Sequence, residues 1–232
     1  MFRMKIADQV FEIDNHYSDI VHMSRDYVTE ETPSYVVGAT VEEIEAEDRE
    51  QKGFSLGYLE TLAIYRKICD LLREKDTFLF HCSAIEMDGK AYLFTAPSGT
   101  GKSTHTRLWR EVFGDKVTMI NDDKPLLHLA ENEIVVYGTP WSGKEQLQTN
   151  TSAPVAGIVI LHQAMENKIR RIEAREAYPM LLNQTHRGTS ADGMKYTLDF
   201  VWRLAQVPVY SLGCTISKEA VLLAHQSLTE SK

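Results

Sequence analysis

Apolar and polar residues alternate along Arg3–Asp14 (RMKIADQVFEID) and again along Tyr35–Glu43 (YVVGATVEE), the period of strands with one buried face. These runs predict a small antiparallel or edge sheet, and they carry no evident chemistry. From Ser55 to Lys75 the period becomes helical: Leu62, Tyr65, Cys69 and Leu72 fall on one face, and Ser55 stands where an N-cap belongs. That face is read as core, with Cys69 a small buried hydrophobe.

Two strand-like runs then flank Asp88-Gly89 in TFLFHCSAIEMDGKAYLFTAPSG, and this dipeptide favours a tight hairpin. The second run therefore pairs antiparallel with the first before it reaches Thr95. A helix is expected over 103–113, followed by a strand in KVTMINDDKPLLHL that ends at Asp122 and Asp123. Further strands are expected in EIVVYGTPWSGKE and APVAGIVILHQA, helices in REAYPMLLNQ and GMKYTLDFVWRLAQ, a last strand in VPVYSLGC, and a last helix in SKEAVLLAHQSL capped by Ser217. Trp202 lies at helical spacing with Leu198 and Ala205 and is assigned to the core. No repeat or linker interrupts the pattern. The reading is one α/β domain over 1–232, with a strand-rich portion at 1–54 and a main body at 55–232.

Composition supports one sizeable folded domain: 232 residues, 43% hydrophobic and 25% charged. A net charge of −8 without a dense Lys/Arg run gives no support for nucleic-acid binding. The acidic stretch Val41–Gln51 (VEEIEAEDREQ) reads as a solvated helix face or a loop. Three scattered cysteines, Cys69, Cys82 and Cys214, form neither a disulfide framework nor a metal-ligand spacing. With no run of membrane-spanning length and no basic-then-apolar leader pattern, a soluble cytoplasmic protein without a membrane partner is expected.

The chemistry concentrates in TAPSGTGKSTHTRLW, beginning at Thr95. Backbone N–H groups around Ser98, Gly99, Thr100 and Gly101 can turn toward one anion, and Lys102 adds a positive charge. The helix starting beside Ser103 and Thr104 contributes the partial positive charge of its N-terminus to the same place. Such a glycine-rich Walker A loop suits the phosphates of a nucleotide, with Ser103 facing a magnesium ion. Ala96 stands where a first glycine is common.

Asp122 and Asp123 follow an apolar run, so at a strand end both can reach one cleft. One can order magnesium while the other accepts a proton from an attacking hydroxyl. His81, in the strand before the hairpin, would lie near the mouth of the loop. There it can contact phosphate, bind a cation or assist proton transfer.

HCSA, SGTGKST and NDD, in that order and spacing, resemble the nucleotide site shared by ATP-dependent phosphoenolpyruvate carboxykinases and the C-terminal kinase domain of HPr kinase/phosphorylases. The resemblance covers roughly residues 78–127. It implies a mixed sheet in which a hairpin feeds the phosphate-loop strand. It also implies that Gly99, Thr100, Gly101 and Lys102 hold the β- and γ-phosphates of ATP, with Ser103 or Thr104 on Mg2+. Asp122 would be the base for the acceptor hydroxyl, and His81 and Asp123 would lie at the metal or the phosphoryl group. No equivalent of the large dicarboxylate-binding portion of the carboxykinases is recognisable in these residues, nor are the separate N-terminal domain and the characteristic C-terminal segment of HPr kinases. The resemblance therefore implies a compact HPr-kinase-like phosphotransferase acting on a hydroxyl, serine by preference, of a peptide, protein or small molecule. Related enzymes often assemble, so a homo-oligomer is compatible with it.

Two further segments offer substrate contacts. In GTPWSGKEQ, Lys144 can meet a phosphate or an acidic substrate group, and Trp141 either stacks on a ring or sits semi-buried in a turn. In NQTHRGTSADG, Arg187, beside His186, can grip an anion or lie in a solvated loop. Two other functions fit the same residues: a nucleotide-binding regulatory module without catalysis, and a phosphate-dependent phosphorylase running the transfer in reverse.

Overall fold

A computed structural model describes residues 1–48 and 52–230 as two compact units, Met1–Lys75 and Asp76–Lys232. In the first unit, β1 (Phe2–Ile6) and β2 (Gln9–Asp14) form a hairpin whose turn residues Ala7 and Asp8 both have positive φ. A short helix α1 (Asp19–Met23) follows, and then β3 (Tyr35–Gly38). β3 pairs parallel with β2, so the small three-stranded sheet is mixed; of the antiparallel or edge sheet expected, only the β1–β2 pair is antiparallel.

The alternation in YVVGATVEE does not continue as one strand. Thr40 starts a capping box with Glu43, which diverts the chain into α2 (Val41–Glu45). The acidic stretch thus begins as a short, largely solvated helix, and Arg49–Gln51 lie outside the described residues. α3 (Leu56–Arg73) starts at Ser55, whose hydroxyl accepts from the Tyr58 N–H. Cys69 is buried as expected, and its thiol is pushed up in pKa by that burial. Leu62 is only half-buried, because the face turned inward centres on Leu59, Ala63, Ile64, Ile68 and Leu72. Division after Lys75 puts α3 with the N-terminal strands, a later boundary than residue 54.

The second unit contains β4 (Thr77–Leu79), β5 (Ser83–Met87), β6 (Lys90–Thr95), α4 (Lys102–Phe113), β7 (Thr118–Asn121), β8 (Leu126–Leu129) and β9 (Ile134–Tyr137). It continues with β10 (Ser152–Gln163), β11 (Lys168–Ile172), α5 (Ala174–Gln184), α6 (Ala191–Leu204), β12 (Val209–Cys214) and α7 (Lys218–Glu230). Its nine strands make one mixed sheet in the order β4-β8-β9-β10-β6-β5-β7, with β12 also on β10 and β11 on β12. The long β10 joins the two parts: its first residues pair antiparallel with β9, and the remainder runs parallel to β6 and β12.

The hairpin β5–β6 forms as the Asp88-Gly89 dipeptide predicts, with φ of +55° and +74° at the two turn residues. Side chains alternate across the sheet. Leu93, Ile158 and Ile160 face one core with Phe200, Val201 and Leu204 of α6, while Phe94, Val159 and Leu161 face another with Trp109 of α4 and Val221 of α7. Helices therefore cover both faces.

Trp202 departs from expectation. It is 48% exposed, and Leu198 is 39% exposed, because α6 turns Thr197, Phe200, Val201 and Leu204 inward instead. Among the described residues no helix is long and apolar enough to cross a membrane.

Candidate functional site

Strand register brings three loops to one edge of the sheet. β5 pairs with β6 through Ser83 and Phe94, and with β7 through Ala84 and Asn121. The end of β6, the start of β5 and the end of β7 are consequently neighbours. The Ala96–Gly101 loop, His81-Cys82 and Asp122-Asp123 extend from them. Thr95 ties the first two, its hydroxyl donating to the His81 carbonyl at 2.8 Å. A register shift between Ala84 and Ile85 marks a bulge beside this edge, a common device for re-aiming side chains at sites.

The loop after β6 needs its glycines. Gly99 has φ +79° and Gly101 +120°, values costly for a residue with a side chain. Gly101 is the N-cap of α4, and its carbonyl accepts the first helical bond from His105 at 2.9 Å. The helix begins at Lys102, one residue ahead of the expected start. Lys102 Nζ folds back onto the Ala96 carbonyl at 3.0 Å, and Gln163 at the end of β10 reaches the Thr100 carbonyl at 3.4 Å. Ser98 and Gly99 are exposed, while Thr104 is half-buried.

Asp122 is the most enclosed carboxylate of the group, 4% exposed. Its Oδ1 accepts from Ser83 Oγ at 2.9 Å, and Ser103 stands near enough for its hydroxyl to draw the carboxylate's pKa down. Burial pushes its pKa above the ordinary aspartate value; the two serine hydroxyls pull it back, while Glu145 and Asp123 push in the direction of burial. A carboxylate raised in this way is a better proton acceptor than an exposed one.

Asp123 points elsewhere. Its Oδ1 lies 4.0 Å from His81 Nδ1 and its Oδ2 3.4 Å from Lys124 Nζ. His81 sits in the break between β4 and β5 and not within a strand, since Phe80 bridges to Thr185 while Ser83 begins the hairpin. Its pKa is lowered, chiefly by burial and also by Lys124 and Lys102, against the opposing pull of Asp123.

Lys102, Ser103, Asp122, Asp123 and His81 are therefore brought together. Ser83, Asn121 and Lys124 join them without having been singled out in the sequence, although HCSA, NDD and the residue after it contain all three. Lys144 and Arg187 are exposed. The Arg187 guanidinium donates to Asn183 at 2.9 Å. The antiparallel bridge of Phe80 to Thr185 sets Gln184 opposite His81, with Arg187 three positions further along. Trp141 is 2% exposed, so it offers no free face for a ring to stack on. Gly143 of the same loop lies against Asp122 instead: a Cβ there would stand 2.8 Å from Oδ2.

Among the described residues, no three His, Cys, Asp or Glu side chains are grouped to hold a metal. A hydroxyl and a carboxylate, Ser103 and Asp122, suit magnesium, a hard ion that keeps water and takes phosphate oxygens as its other ligands. They do not suit zinc, which needs three or four protein ligands of softer character.

No protein-family model matches the chain, and no curated protein matches it. Among solved structures it is similar to the Hpr(Ser) kinase/phosphatase from Coxiella burnetii, at 11% sequence identity and a TM-score of 0.35, over 64% of this chain and 93% of that one. Identity and TM-score this low carry no weight for function.

Proposed function

We propose that this protein is an ATP- and magnesium-dependent phosphotransferase that moves a γ-phosphoryl group to a hydroxyl, serine by preference, on a peptide, protein or small molecule. The observation that carries this reading is the placing of the buried Asp122 carboxylate, held by Ser83, at the sheet edge from which the glycine loop also extends. It joins a phosphate-binding element to a carboxylate suited to take a proton. A module that only bound nucleotide would have no need of the second.

In this reading the loop amides from Ser98 to Gly101 and the Lys102 ammonium hold the phosphate oxygens, and Asp122 receives the acceptor hydroxyl's proton as it attacks. Magnesium, held by Ser103 with water and phosphate oxygens as its other ligands, would supply charge neutralisation for the phosphates and leave the Asp122 carboxylate to take the proton. His81 and Asp123 line the same edge and shape the ground beside the transferring group. In this reading the protein acts in the cytoplasm, where ATP is abundant.

Calorimetry with magnesium and either ATP or GTP tests the reading on the wild type, Lys102→Ala and Asp122→Asn. ATP binding that Lys102→Ala weakens at least tenfold and Asp122→Asn leaves largely intact is expected. Absence of nucleotide binding, or equal binding by Lys102→Ala, would sink it.

A further inference from the structure

Asn121 ends β7 wholly buried, with both polar atoms of its side chain in use. Nδ2 donates to the Thr139 carbonyl at 3.1 Å, to Thr139 Oγ1 at 3.2 Å and to the Trp141 carbonyl at 3.1 Å. Oδ1 accepts the backbone N–H groups of Asp123 at 2.9 Å and Lys124 at 2.7 Å. Thr139, also wholly buried, closes the circuit, its hydroxyl within donating reach of the Lys124 carbonyl at 2.8 Å and the Trp141 carbonyl at 3.1 Å.

These bonds have two destinations. One is the main chain immediately after Asp122. The other is the 139–143 loop, whose Gly143 rests on the Asp122 carboxylate. We infer that Asn121 and Thr139 are positioning residues for phosphoryl transfer: together they clamp the 139–143 loop to the Asp122 turn and so fix the carboxylate between Ser83, Ser103 and Gly143.

The inference rests on the phosphotransfer reading for its catalytic consequence. The geometry of the clamp does not. Apolar packing could also hold a loop, but it would not supply the partners that Asn121 and Thr139 give to the Asp123 and Lys124 N–H groups and to the Lys124 and Trp141 carbonyls. What the polar clamp adds is direction, because six contacts to main-chain atoms allow the turn and the loop one relative placement. A loop free to shift by an ångström would carry Gly143 away from Asp122 and leave the carboxylate to wander. A misplacement of that size can cost about 100-fold in rate.

The test uses Asn121→Ala, Thr139→Val and the double variant, all in a Trp202→Phe background, with magnesium-ATP turnover to ADP and phosphate as the assay and water as acceptor. Thr139→Val keeps the shape of the buried side chain and removes only the hydroxyl. It guards against loss of fold in Asn121→Ala. Each single variant is expected to lower kcat by about 10- to 100-fold with KM for ATP within about twofold. The double variant should fall no further than the worse single one, as for two parts of one device. Trp141 emission should shift to the red and become open to acrylamide in Asn121→Ala. Thr139→Val with wild-type kcat, or losses that multiply in the double variant, would overturn the inference. So would a Trp141 that stays shielded. A wild type that neither binds nor turns over ATP would instead remove the phosphotransfer reading and the catalytic consequence with it, leaving the clamp to be decided by Trp141 alone.

Discussion

Ser83 Oγ lies 2.9 Å from Asp122 Oδ1 and 3.1 Å from the Asp122 backbone carbonyl, across a gap of 39 residues in the chain. Ser83 begins β5 and Asp122 directly follows its antiparallel neighbour β7, at the sheet edge that also carries the glycine loop. A buried serine thus fixes a buried acid. Burial raises the pKa of Asp122 above the ordinary aspartate value, so the folded protein holds its proton more tightly than the unfolded chain does.

The sign of the consequence follows from linkage. A carboxylate with a raised folded pKa weakens the fold at neutral pH, and the penalty fades as pH falls through the folded pKa toward the unfolded one. Asp122→Asn should therefore be more stable than the wild type in urea at pH 7, with the difference shrinking as pH falls toward the ordinary aspartate value of 3.8, and should lose phosphoryl transfer by 100-fold or more. Ser83→Ala should act the opposite way on stability, by about 1.5–3 kcal/mol at pH 7, as for a hydrogen bond to a charged group. Equal stability of Asp122→Asn and wild type at pH 7 would show that the carboxylate is not strained by burial.

His105 provides a separate acid-sensitive element. It is 4% exposed, accepts from Trp109 Nε1 at 3.1 Å through Nε2, and is held neutral by burial to a pKa of about 4. The unfolded chain takes up this proton near pH 6.5, the folded protein only near 4. Stability from this site is complete above pH 6.5 and declines below it, by up to about 3 kcal/mol by pH 4. Denaturant titrations at pH 7, 5 and 4 should show His105→Gln losing less than the wild type over that interval. Parallel losses in both proteins would place the acid sensitivity elsewhere.

Elements governed by neighbouring residues were legible in the sequence. The Asp88-Gly89 turn needs positive φ, the Ser55 hydroxyl caps α3, and Ser217 caps α7 by accepting from Ala220 at 3.3 Å. The glycines, Lys102 and Ser103 were legible for the same reason. Partner exchange was not. The segment from Thr77 to Met87 reads as one strand-like run, yet β4 pairs with β8 while β5 pairs with β6 and β7, and His81 falls in the break. β11, with its sequence KIRRI, hides its strand character behind charges that suit an exposed edge. Ser83, Asn121 and Lys124 reach the site through hydrogen bonds or ion pairs whose geometry depends on how three loops meet, which no local pattern encodes.

Trp202 shows how helical spacing can mislead. Leu198, Trp202 and Ala205 do share a side of α6, but only Ala205 is buried, and Trp202 lies beside Tyr178 with ring centroids 6.2 Å apart. The other two tryptophans, Trp109 and Trp141, are 0% and 2% exposed. Trp202→Phe should remove nearly all iodide-quenchable fluorescence and change stability by no more than about 0.5 kcal/mol. A loss of several kcal/mol would return Trp202 to the core.

The backbone of Gly101 permits a test of the loop that leaves every side chain in place. At φ +120° and ψ +23° the residue occupies a conformation that L-residues rarely adopt, yet a Cβ there would meet nothing within 4 Å. Gly101→Ala consequently acts through backbone strain alone, about 1–3 kcal/mol, or through a change in loop shape. Gly114, at the other end of α4, has φ +58° and equally open space, so Gly114→Ala applies comparable strain away from the loop. Both variants should melt earlier than the wild type. Only Gly101→Ala should weaken magnesium-ATP binding, by tenfold or more, because the N–H groups it displaces are those that would face the phosphates in the proposed function. Equal affinity in the two variants would mean that loop shape does not govern nucleotide binding, and the phosphates would have to be sought elsewhere on the protein.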